Sequence, residues 1–77
     1  MHTDIAQEVD ARGLNCPLPI LKIKKALSAV SDGEVVRLLA TDPGSVKDIQ
    51  AFCSQTGNEL VASDEADGDY RFIVKKH

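Results

Sequence analysis

Two prolines constrain this chain more than any other residues. In Gly13-Leu14-Asn15-Cys16-Pro17-Leu18-Pro19-Ile20 they mark the point where an extended segment turns into a helix. Proline is tolerated in the first helical turn, where the missing N–H would have no partner and φ is already near the helical value. It also drives the residue before it towards extended geometry. The expectation is therefore Pro17 at the first helical position and Cys16 as the N-cap residue, its sulfur near the positive end of the helix dipole. That setting favours thiolate, the reactive form of cysteine. Pro19 removes one amide an N-cap side chain often uses, leaving mainly the Leu18 N–H, so the thiol is expected to be modestly activated.

The rest of the chain reads as alternating elements. Ile5 to Asp10 alternates loosely, with Ile5 and Val9 assigned to one face of a strand. Ala11 to Asn15 is a turn around Gly13. Ile20, Ile23, Leu27 and Val30 recur at helical spacing from Pro17 to Val30, with Lys22 and Lys25 on the other side. Glu34 to Ala40 is nearly continuously apolar, which suits a strand with neighbours on both edges. Ser45-Val46-Lys47-Asp48 resembles a capping box, opening a second helix that runs to about Thr56 and buries Val46, Ile49, Phe52 and Cys53. Gly57 is a left-handed cap. A third strand centres on Leu60 and Ala62 within 58–63. An acidic loop with its turn at Asp67-Gly68 leads to a fourth strand, 69–76, with Tyr70, Phe72 and Val74 on one face.

The order β-α-β-α-β-β, with right-handed crossovers, predicts an α+β two-layer sandwich: a four-stranded mixed sheet of order 1-2-4-3 with both helices on one face. The loops after strands one to three then share one sheet edge, where ligand chemistry collects in parallel sheets. Cys16, the loop from Asp42 to Ser45 and the acidic hairpin are expected there, and the far face is left free for a partner.

Composition narrows the function classes. At 77 residues, 43% of them hydrophobic, the chain is expected to form one domain, 1–77, with a thin core. A net charge of −3 argues against nucleic-acid binding through bulk electrostatics. Apart from the four acids of 64–69, eight acids stand against nine basic residues, so the remaining surface is near neutral. No apolar run has the roughly 20 residues of a membrane span, and Met1-His2-Thr3-Asp4 lacks the pattern of a signal peptide. A cytoplasmic location is the default expectation, and there Cys16 and Cys53 are expected to be reduced. His2 and His77 are terminal and the cysteines far apart, which gives no metal-ligand spacing.

Cys16 is the candidate reactive group. Cys53, on the apolar stripe, reads as a packed core thiol, with a resolving role towards Cys16 as the alternative. Asp10 reads as an acceptor for loop amides. Arg12 is either a positive charge near the sulfur or a solvated side chain. Asp42 is read as bonding the second helix N-terminus; close to Cys16 it would oppose activation. The acid-free lysines of the first helix are a solvated face or a docking patch.

Asp10-Ala11-Arg12-Gly13-Leu14-Asn15-Cys16-Pro17-Leu18-Pro19 resembles the signature of the TusA/SirA-like sulfur-carrier family. The similarity continues in Thr41-Asp42-Pro43-Gly44-Ser45, in Phe52-Cys53 and in the basic C-terminus. It implies the β-α-β-α-β-β fold and sulfur relay. Cys16 would take sulfane sulfur as a persulfide from a cysteine desulfurase or rhodanese-type donor and hand it to a downstream acceptor protein. Asp10, Arg12, Gly13, Pro17 and Pro19 would support it. No metal or organic cofactor, nucleic acid or membrane is implied, and a monomer is favoured. Family members tied to transfer-RNA thiolation have Glu where this chain has Leu18, which puts an apolar contact beside the thiol. Transfer-RNA thiolation, sulfur oxidation, thiosulfate use and regulation all stay open as pathways. So do two other functions: a thiol-disulfide protein using both cysteines, and a non-catalytic adaptor.

Overall fold

A computed structural model of the chain describes residues 5–15 and 17–77. Cys16 and residues 1–4 lie outside the described residues. The elements are β1 (Ile5–Ala11), α1 (Leu18–Ser28), β2 (Val35–Ala40), α2 (Ser45–Thr56), β3 (Glu59–Ala66) and β4 (Asp69–Lys75). They form a four-stranded mixed sheet of order β1-β2-β4-β3, as expected. β1 and β2 are parallel, and β4 runs antiparallel to both β2 and β3.

The core lies on one face of this sheet. Val36, Leu38 and Ala40 alternate along β2, and Phe72 and Val74 along β4; all five are fully buried. Ile23, Ala26 and Leu27 of α1 and Ile49 and Cys53 of α2 close over them in one apolar cluster. Each fully buried Ile, Leu or Phe of this set contributes about 1.5–3 kcal/mol relative to exposure. The other face carries Arg37, Leu39, Ile73 and Lys75, half-buried, and Arg37 is paired there with Glu8.

Several local expectations are corrected. α1 begins at Leu18, with Pro17 in the cap position, one residue later than the proline pattern suggests. The cause is a tight turn just before the helix: the Leu18 N–H bonds the Asn15 carbonyl at 2.9 Å, and the first regular helical bond runs from Leu21 to Pro17. The helix ends at Ser28, and the N–H groups of Ala29 and Val30 close tighter bonds to Ala26 and Leu27. There is no capping box on α2. Gly44 holds the cap position, and the Ser45 hydroxyl donates to the Asp42 carbonyl at 2.6 Å.

Both edge strands contain a bulge. In β1 the register slips between Ile5 and Gln7, so Ile5 sits beside Val35 while Val9 sits beside Leu38 on the opposite face. The expectation of Ile5 and Val9 on one face fails for that reason. In β3 the slip between Leu60 and Ala62 puts Leu60 beside Val74 and Ala62 beside Ile73, again on opposite faces. A bulge on an edge strand disrupts the row of free amides that would template pairing with another chain. β3 also extends to Ala66, so Asp64 and Glu65 are strand residues and the acidic loop contracts to Asp67-Gly68.

Candidate functional site

β1 and β2 end in register, with Ala11 paired to Ala40. The chains leaving them therefore emerge side by side at one sheet edge. The segment from Arg12 to Pro17 carries the candidate thiol in its sequence, and Thr41 to Gly44 runs next to it. Ala66 and Asp69 of the β3–β4 hairpin pair at the same edge.

Asp10 and Arg12 form one unit. The Arg12 backbone N–H donates to Asp10 Oδ1 at 3.1 Å, its Nε to the same oxygen at 2.9 Å, and its Nη2 to Oδ2 at 3.0 Å. The Arg12 side-chain bonds, then its backbone N–H, hold the Asp10 carboxyl down at about 2. The same pairing raises Arg12. Arg12 Nη1 also lies 3.5 Å from Asp69 Oδ2, at the start of β4. Asp10 thus accepts a loop amide, as expected. Of the two readings of Arg12, the geometry is that of a guanidinium held between carboxylates. Both partners are about half exposed, so the pair adds little stability and acts mainly on the shape of the turn.

Gly13 has φ +81°, in the left-handed region where other L-residues are strained. Its N–H donates to Thr41 Oγ1 at 2.8 Å. The Leu14 N–H bonds the Ala11 carbonyl at 3.2 Å, and the Leu14 side chain packs on the core. Pro17 caps α1, while Pro19, at its second position, is buried. The Leu18 amide that could have served an N-cap thiolate is spent on Asn15. The expectation of Cys16 as the N-cap residue is thereby corrected, since the cap falls on Pro17; Cys16 itself, and the expected exposure of its sulfur, lies outside the described residues.

Asp42 Oδ1 accepts the Gly44 N–H at 3.1 Å, and its carbonyl accepts the Ser45 N–H at 3.0 Å. This is the helix-start role read from the sequence. Cys53 is buried, and burial pushes its thiol up, in keeping with a packed core residue. On the outer side of α1, Leu18 and Leu21 are 46% and 55% exposed, next to the exposed Lys22 and Lys25. Thr41 entered the sequence reading only as part of the Thr41–Ser45 stretch, and its role as the acceptor for Gly13 was missed because that partner is 28 positions away.

Among the described residues no group of three or more His, Cys, Asp or Glu could hold a metal ion. Among them, too, no helix is long and apolar enough to cross a membrane.

The element order and the four-stranded mixed sheet place the chain in the α+β class, and comparison with known proteins identifies the family. The family model described as sulfurtransferase TusA matches residues 7–76. The sulfur carrier protein TusA of Allochromatium vinosum is 60% identical over 73 residues, covering 95% of this chain and 96% of the relative. A putative sulfur carrier protein of Neisseria meningitidis serogroup A is 46% identical over 70 residues, 91% of this chain and 95% of its own. Among solved structures, the SirA-like protein of Desulfitobacterium hafniense superposes with a TM-score of 0.81 at 28% identity, over 90% of this chain and 95% of that one. The chain belongs to the TusA family of sulfur carriers.

Proposed function

We propose that residues 1–77 work as one sulfur-carrier domain in the cytoplasm, with Cys16 as the carrying residue. The observation that carries this reading is the family match across residues 7–76. In the forward step the Cys16 thiolate attacks the terminal sulfur of a donor persulfide. The donor's S–S bond breaks as the new one forms, the donor leaves as thiolate, and Cys16 holds Cys–S–SH. An acceptor thiolate then repeats the step on Cys16. Each transfer conserves electrons and needs no added oxidant, reductant or cofactor. Asp10, Arg12, Gly13, Pro17 and Pro19 shape the segment that presents the thiol. The donor is a desulfurase or rhodanese-type persulfide protein, and the acceptor is a second protein.

The exposed apolar pair Leu18 and Leu21, flanked by Lys22 and Lys25, supports docking beside the thiol. Single apolar residues are common on protein surfaces. A pair one helical turn apart, within five positions of the reacting residue, is suited to a partner contact.

Mass spectrometry tests the reading. After incubation with thiosulfate and a rhodanese, or with cysteine and a desulfurase, Cys16 should gain one sulfur atom, and Cys16→Ala should gain none. No adduct with either donor overturns it in favour of an adaptor role.

A further inference from the structure

We propose that Thr41 is a positioning residue for sulfur transfer: its hydroxyl sets the orientation of the Cys16-bearing segment relative to the sheet. The inference rests on the sulfur-relay reading. The segment leaving β1 is tied to itself by the Leu14–Ala11 and Leu18–Asn15 backbone bonds. Such local bonds define a turn but not its direction. The Gly13 N–H to Thr41 Oγ1 bond, at 2.8 Å, crosses to a different element. The acceptor is well supported, because Thr41 is half-buried and follows Ala40, which is fully buried in the central strand β2. The donor is equally constrained, since Gly13 holds φ +81°. Among the described residues this segment is also anchored by the Leu14 side chain, whose apolar packing on the core fixes no donor direction, and by Arg12 near Asp69, a 3.5 Å contact between partly exposed side chains that is far less directional.

Gly13 lies three residues before Cys16. Transfer between two docked proteins needs two sulfurs brought into line from surfaces that cannot reorient, and a misplacement of about 1 Å can cost up to about 100-fold. A small sulfur donor approaches from any side and needs no such alignment. Thr41 therefore acts on transfer from a protein, and not on the reactivity of the thiol.

The test loads Cys16 from two probes, a persulfurated rhodanese and inorganic polysulfide. Thr41→Val, with thiol titration setting the active fraction, should lower kcat from the rhodanese about tenfold, with KM within about twofold. Loading from polysulfide should stay within about twofold of the unmodified protein. Thr41→Ser, which keeps the acceptor, should restore the rhodanese rate. Amide exchange at Gly13 should rise in Thr41→Val and return in Thr41→Ser. A Thr41→Val protein that matches the original with rhodanese, slows equally with both probes, or is not rescued by Ser overturns the proposal; Thr41→Ala substitutes if the Val variant does not fold. If the unmodified protein loads from neither probe, the relay reading falls. Gly13 exchange then decides alone whether Thr41 holds the segment, and unchanged exchange in Thr41→Val refutes it.

Discussion

Arg12 grips Asp10 with both Nε and Nη2, at 2.9 and 3.0 Å from the two carboxylate oxygens, across a separation of two residues in sequence. The pair folds the chain back on itself immediately after β1. Because the Arg12 side-chain hydrogen bonds, and then its backbone N–H, lower the Asp10 carboxyl from 3.8 to about 2, the native state holds Asp10 ionised over a range where the unfolded chain binds a proton. The contribution to stability is fully present above about pH 4 and is lost as pH falls through about 2. Thermal midpoints of the unmodified protein and Asp10→Asn should differ at pH 7 and converge towards pH 2. The difference should be small and should shrink in high salt, since the pair is exposed.

Gly13→Ala should destabilise the protein by about 1–2 kcal/mol, the cost of a left-handed conformation in an L-residue. A Cβ there would meet nothing within 4 Å, so the penalty is conformational. Gly13→Asn should cost less, because Asn tolerates that region. Urea denaturation of the three proteins checks the ranking.

Phe72 is fully buried in the middle of β4, where it pairs with Leu38 on one side and Ser63 on the other. Phe72→Ala should cost about 3–5 kcal/mol. For a domain this small that approaches the whole stability, so the variant should be largely unfolded by circular dichroism at 37 °C.

Cys53→Ser should lower the urea midpoint by an amount equivalent to about 1–3 kcal/mol, because a hydroxyl replaces a thiol against Ile49 and its neighbours in the core. Sulfur loading of Cys16, scaled to the folded fraction, should be unchanged. A loss of loading at full folding would favour a resolving role for Cys53.

Leu21→Asp should leave the thermal midpoint within a few degrees, since the side chain is more than half exposed. The rate of loading from a rhodanese persulfide should fall through KM, whereas loading from polysulfide should not change. Equal rates with both donors would remove this face of α1 from the docking surface.

Local pattern was enough wherever an element is defined by its own residues. The stripe of Ile23 and Leu27, the apolar run of β2 and the left-handed Gly57 each carry their instruction within a few positions. The two prolines located the helix start to within one residue. They did not anticipate that the Asn15 carbonyl would take the Leu18 amide, because a proline pattern fixes φ at its own position and not which acceptor a neighbouring amide finds.

What the sequence alone determined is the order of elements, the sheet topology that order allows, and the family signature around Cys16. Periodicity and turn chemistry act over a handful of residues, so they can be read from the chain. Only the tertiary structure decided which neighbours meet at the sheet edge. The pairing of Ala11 with Ala40 brings Thr41 to Gly13, and the hairpin brings Asp69 to Arg12. The bulges in β1 and β3 likewise move side chains between faces through one extra residue. Register is a relation between strands distant in sequence, set by the packing of the whole core, and a single strand does not contain it.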